Sequence, residues 1–183
     1  MTTDRLHTIV ALVEDKPGVL TRIAGLFRRR GFNIASLTVG KSEQPGLSRM
    51  TCVVDGSPDI VIQATRQLDK LIDVRGVCDI TEEKIIAREL ALIKVQSTPD
   101  TRSDIIQIAQ MFRAHIVDVG TDSIVVEVTG SEDKIAALQD LLNPYTVIQM
   151  MRTGRVAMTR GNNKEVQKIG GYMDIYYDKD ADL

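Results

Sequence analysis

Apolar positions recur along this chain with two periods, near 2 and near 3.6, and the switches between them mark the elements. "HTIVALVE" (7–14) has the short apolar run of a strand, and Val19, Ile23, Leu26 and Phe27 then fall on one helical face, predicting a helix over Pro17–Arg30. "FNIASLTVG" and "LSRMTCVV" follow as strands, separated by a turn built on Pro45 and Gly46. Ser57 as cap and Pro58 in the first turn open a second helix with Ala64, Leu68, Leu71 and Ile72 as its expected buried stripe. Val74–Thr81 closes the unit as a strand, so the order is βαββαβ.

The second half repeats that order. "ELALIKVQ" is a strand, and Arg102–Ala114 is a helix with Ile105, Ile108, Ala109 and Phe112 inward. "HIVDVG" and "SIVVEVTG" form a strand pair, and Ser131 caps a helix through Leu142 with acids in its first turn. "YTVIQMM" is the last strand of the repeat, with Met150 and Met151 as packing residues, and "RTGRVAMTRG" adds a short edge strand. The fold class is therefore α+β, two tandem ferredoxin-like (βαββαβ) domains of about 75 residues, over 5–82 and 89–161. "EEKIIARE" joins them as a linker or as the continuation of an edge strand. Helices cover one face of each sheet, so the other face or an edge is expected to meet another domain or subunit.

Composition narrows the function classes. Three lysines and five acids lie beyond residue 163, so the rest of the chain carries 20 charges of each sign. A neutral body lacks the basic face of a nucleic-acid binder. "FRRRG" is the densest basic cluster, and Arg28–Arg30 suit the negative end of a helix. No apolar run reaches the roughly 18 to 20 residues of a membrane span. The N-terminus lacks the pattern of a secretory signal, so the cytoplasm is the expected location. Two histidines and two lone cysteines, Cys52 and Cys78, make a poor metal inventory. The cysteines read as small apolar strand residues, and His7 and His115 as surface or packing residues.

The candidate chemistry sits in "EDKPGVLTRIAGLFRRRGFNIASL" (14–37), where a strand hands over to a helix. The first N–H groups of a helix lack intrahelical acceptors and carry partial positive charge, so a carboxylate finds donors there. Gly18 lets a ligand approach the backbone, and Pro17 sets the entry geometry. Asp15 offers a carboxylate to an ammonium group, and Asn33 an amide that donates and accepts. These groups suit a free α-amino acid. The alternative is punctuation, with Asp15 as a plain helix cap.

"VEDKPGVLTRIAGLFRRRGFNIASLTVG" resembles an ACT domain, an amino-acid-sensing βαββαβ module. With "GLSRMTCVV", "FRAHIVDVG" and "RTGRVAMTRG", the chain from residue 5 to about 161 resembles the small, regulatory subunits of acetohydroxyacid (acetolactate) synthase. The resemblance implies a subunit that catalyses nothing alone and carries no cofactor. Thiamine diphosphate, Mg and FAD are expected on the catalytic subunit, which the small subunit binds and activates. It further implies a homodimer and feedback inhibition by valine, or by leucine or isoleucine, held where two ACT domains meet. The matching effector positions are Asp15, Gly18 and Asn33, with Val19, Leu20 and Ile34 lining the site. Position 15 is often Asn in that family, and Asp adds a negative charge. The second domain's turn, "STPDTRSD", has no Gly at the helix entry and is expected to lack such a site.

Residues 162–183 are expected to form a disordered tail. Within them, "MDIYYDKDADL" (173–183) resembles the N-terminus of ketol-acid reductoisomerase. "KIGGYM" can be encoded with a ribosome-binding sequence just before a start codon, so the tail is expected to translate an intergenic region and the start of the next gene. The alternative function is a tandem ACT sensor acting on a transcription regulator. A phosphatase on this fold would need a glycine-rich phosphate cradle, and an RNA-binding sheet would need strand aromatics; neither is present.

Overall fold

The computed structural model describes residues 5–161. The chain divides into two compact units, one running to Ile86 and including the segment from Ala157, the other Ala87–Val156. Residues 157–161, grouped with the second domain on sequence, thus cluster with the first unit.

The first unit contains β1 (Arg5–Glu14), α1 (Val19–Arg30), β2 (Asn33–Lys41), β3 (Leu47–Gly56), α2 (Pro58–Asp69) and β4 (Val74–Asp79). Its antiparallel sheet has the order β2-β3-β1-β4. β1 is central, and Ile9 to Val13 are all at most 3% exposed. Burial on both faces explains why this segment is a continuous apolar run rather than an alternation. Val19, Ile23, Leu26 and Phe27 of α1 pack with Ile9, Ala11, Val13, Met50, Cys52 and Val54 in one core. Burial pushes the Cys52 thiol up to about 12, so it stays neutral and serves as a small apolar side chain.

The second unit repeats the order with β5 (Ile85–Gln96), α3 (Arg102–Met111), β6 (His115–Val119), β7 (Ser123–Gly130), α4 (Glu132–Leu142) and β8 (Val147–Arg152). Its sheet has the equivalent order β6-β7-β5-β8; β9 (Val156–Thr159), which falls with the first unit from Ala157 on, pairs with β5, whose first residues Ile85 and Ile86 fall there too. Ile93, Val95, Ile105, Ala109, Ile124, Val126, Ile135 and Leu138 form its core. Ser131 caps α4, its hydroxyl accepting from Lys134 N–H. The architecture is α+β, with two ferredoxin-like units. No helix among the described residues is long and apolar enough to cross a membrane.

Three local expectations are corrected. α1 begins at Val19, because Gly18 at φ 87° cannot continue a helix backwards to Pro17. α2 ends at Asp69, and the turn that follows puts Ile72 outside, 85% exposed, while Val61 and Thr65 complete the buried stripe. α3 ends at Met111, and Arg113 takes a left-handed φ of 51°, so the stop occurs without the glycine that usually signals it. Of the two readings of "EEKIIARE", strand continuation holds from Ile85, where β5 starts, although β5 lies inside its sheet rather than at an edge.

Candidate functional site

The turn between β1 and α1 is held by backbone and charge rather than by a side-chain cap. Asp15 N–H donates to Gly46 O at 2.9 Å, and Glu14 N–H donates to Asp73 O at 2.8 Å. Gly18 is the N-cap of α1, and no side chain bonds into the helix start, so Asp15 is not a cap. Val19 N–H reaches Lys16 O at a long 3.4 Å, and Arg22 N–H bonds to Gly18 O at 3.0 Å. Among the described residues the N–H groups of Leu20 and Thr21 have no acceptor. Gly18 is exposed, and a Cβ there would meet nothing within 4 Å. The start of α1 therefore offers two free donors at an open surface, the arrangement that favours an anion.

Two ion pairs brace this turn. Glu14, at the end of β1, pairs with Lys16 and with Arg75 of β4. The hydrogen bond from Lys16 and the charge of Arg75 outweigh partial desolvation and hold the Glu14 carboxyl below its ordinary 4.5. Arg22 of α1 grips the buried Asp73: Nη2 donates to Oδ1 at 3.2 Å, and Nε lies 2.8 Å from Oδ2. The Nε contact is close enough for an ion pair but off-line for a hydrogen bond, so Oδ2 counts on charge alone. Sequence reasoning missed all of these residues. Because the Glu14 value is depressed on folding, its contribution is present above pH 4.5 and is lost as pH falls through the lower folded value. Unfolding midpoints measured across that acid range should fall less steeply for Glu14→Gln than for the parent chain.

The six candidate residues do not form one cluster within a chain. Asp15, Gly18 and Leu20 are exposed around the turn, with the Asp15 carboxylate unpartnered among the described residues. Val19 is 2% exposed and points into the core, where it anchors the helix start. Asn33 is exposed at the first residue of β2, and Ile34 packs partly against the core. The register sets Asn33 opposite Asp55, which pairs with Leu6, whereas the turn follows Glu14, which pairs with Leu47. Leu6 and Glu14 are eight residues apart, roughly 25 Å of strand. Asn33 thus stands at the opposite end of the sheet from Gly18 in the same chain. α1 runs back along the sheet before β2 begins, so the element order already requires this separation.

The equivalent turn of the second unit is built on the same backbone frame. Ser97 N–H donates to Asp122 O at 2.8 Å, matching Asp15 and Gly46. Its surface is closed, however. Arg102 Nη2 donates to Gly120 O at 3.0 Å and Thr121 O at 2.9 Å, and Thr98 N–H donates to Thr101 Oγ1. The helix enters through Thr101 at φ −94° with no left-handed glycine. His7, at the start of β1, is buried with Nδ1 3.6 Å from Asp79 Oδ2, and His115 is exposed.

A glycine-opened strand–helix turn on the first of two βαββαβ units defines a tandem ferredoxin-like protein with an ACT-type first domain. Residues 9–76 match the family described as "AHAS small subunit-like ACT domain", and residues 88–161 the one described as "Small subunit of acetolactate synthase". The chain is 55% identical over 158 residues to the "Probable acetolactate synthase small subunit" of Archaeoglobus fulgidus, covering 86% of this chain and 99% of that one. It is 51% identical over 159 residues to the acetolactate synthase small subunit of Bacillus subtilis, covering 86% and 92%. The crystal structure of the small subunit from Thermotoga maritima matches with a TM-score of 0.80 at 42% identity, covering 86% of this chain and 99% of that one. The chain belongs to the acetolactate synthase small-subunit family. The segment resembling ketol-acid reductoisomerase (173–183) lies outside the described residues.

Proposed function

We propose that this chain is the regulatory subunit of acetolactate synthase. It activates a catalytic subunit that carries the thiamine diphosphate, Mg and FAD, and it confers feedback inhibition by valine, or by leucine or isoleucine. The observation that carries the effector site is the open start of α1, where Leu20 and Thr21 N–H are free beside an exposed glycine. The effector carboxylate meets these donors, and Asp15 faces its ammonium group.

Asn33 joins the site from a second copy. β2 is an edge strand of its sheet, running from Asn33 at the far end to Lys41, which stands opposite Ser48 at the level of Val13 and the turn. Two β2 edges paired antiparallel about a two-fold axis bring the partner's strand start to this chain's turn. A homodimer then holds two effector sites, each with Gly18 from one protomer and Asn33 from the other.

Complementation between two defective chains tests both the effector and the shared site. Gly18→Asp and Asn33→Ala homodimers should each bind valine, leucine or isoleucine at least tenfold more weakly by calorimetry. After dissociation and mixing, random reassortment should restore about a quarter of the normal high-affinity sites, because each heterodimer has one intact and one doubly defective site. A mixture with no restored sites would show that the site lies within one chain. Absence of binding of all three amino acids to the parent chain, alone and with the synthase, would refute the effector reading.

A further inference from the structure

We propose that Asp73 is a positioning residue for the effector turn, acting through Arg22; this rests on the turn reading above. Asp73 lies in the loop between α2 and β4, distant in sequence from the turn, and is 7% exposed. It holds the turn by two routes. Its backbone carbonyl accepts from Glu14 N–H at 2.8 Å, tying the loop to the last residue of β1. Its carboxylate grips the guanidinium of Arg22 on α1 with two contacts, at 3.2 and 2.8 Å.

Arg22 is placed to pass that restraint on. Its own N–H is the donor to Gly18 O, so one residue is joined by its backbone to the N-cap and by its side chain to Asp73. No side-chain cap fixes the start of α1, and the Val19–Lys16 bond is long. Among the described residues the Arg22–Asp73 contact is the only side-chain hydrogen bond between the first two turns of α1 and another element. Donors that must meet a small carboxylate need a fixed direction before the ligand arrives, and one hydrogen bond backed by a second close charge contact holds the guanidinium to Asp73. Arg22 is half-exposed but Asp73 is buried, so breaking the pair also leaves a buried carboxylate unpaired, and its effect on stability has to be read beside its effect on binding.

The expected result is a weakening of effector binding without loss of fold. Asp73→Asn and Arg22→Gln should each raise the Kd for valine, leucine or isoleucine about threefold to tenfold in calorimetry on the full chain. The swapped pair Arg22→Asp with Asp73→Arg should recover at least part of that loss, and a binding loss in Arg22→Gln at an unchanged unfolding midpoint is what a merely structural role would not produce. Unfolding midpoints taken on the same samples identify any variant that fails to fold; Arg22→Gln, altered at the exposed partner, then decides the matter. If Arg22→Gln binds within twofold of the parent chain while Gly18→Asp does not bind, Asp73 has no positioning role and the turn reading stands. If Gly18→Asp also binds normally, the turn reading fails and this inference with it.

Discussion

On the regulatory reading proposed above, a chain carrying Gly18→Asp should still stimulate the synthase but no longer restrain it in the presence of valine. The substitution places a negative charge at the N-cap of α1, beside the free Leu20 and Thr21 N–H groups. There it competes for the donors and repels the effector carboxylate. Loss of a charge-assisted contact costs about 1.5 to 3 kcal/mol, which is about tenfold to a hundredfold in affinity. A Cβ at Gly18 meets nothing within 4 Å in the chain itself, so the new side chain clashes with no part of the fold and projects into the space the effector would occupy. Backbone strain does contribute, since φ is 87° and a left-handed L-residue costs roughly 1 to 2 kcal/mol. Gly18→Asn isolates the charge: it carries the same strain and nearly the same shape without it. Inhibition and stimulation should be assayed on both variants. The Asp chain should lose markedly more inhibition than the Asn chain. Equal losses would assign the effect to strain or bulk rather than charge, and normal valine inhibition in the Asp chain would end the site assignment.

Phe27→Ala should be the most damaging single change to the first unit. Phe27 is 1% exposed and is among the largest fully buried side chains. Its ring meets Phe32 edge to face, with centroids 5.7 Å apart and planes at 78°. Its carbonyl also accepts from Phe32 N–H at 3.0 Å, closing the end of α1 around left-handed Gly31. Truncation leaves a cavity between helix and sheet, for which a cost of about 3 to 5 kcal/mol is expected, against a typical domain stability of about 5 to 15 kcal/mol. Phe27→Leu should cost far less, because most of the volume stays filled. Urea unfolding of the two variants gives the comparison directly. A loss below about 1 kcal/mol for the alanine chain would mean that the core closes over the gap. Because Phe32 immediately precedes Asn33, the alanine chain should also loosen the start of β2 and weaken effector binding.

The periodic pattern carried most of the fold. Val19, Ile23, Leu26 and Phe27 are the buried residues of α1, as their spacing requires. The two equivalent sheet orders follow from two copies of one βαββαβ pattern. Where the pattern misled, a local break had no strong local signal. Ile72 continues the helical spacing of Leu68, yet the helix ends at Asp69 without glycine or proline, and the turn rotates Ile72 into solvent. Arg113 adopts the left-handed stop of α3 that a glycine would have announced.

By itself the sequence determined the two repeats, their cores, the glycine at the helix entry and the family resemblance. These depend on residue type and spacing over a few turns, which a linear reading captures. The tertiary structure alone decided what braces the turn and what completes it. Arg22 meets Asp73 across 51 residues and Arg75 meets Glu14 across 61, so neither pair has a period to betray it. Asn33 follows the turn closely in sequence but stands at the far end of the sheet, because α1 carries the chain back along β1 before β2 begins. Closing the second turn likewise required the Arg102 guanidinium to reach the carbonyls of Gly120 and Thr121, on the loop that the strand pairing brings beside it. Such contacts are set by how strands register and helices reverse, and that geometry exists only once the sheet has formed.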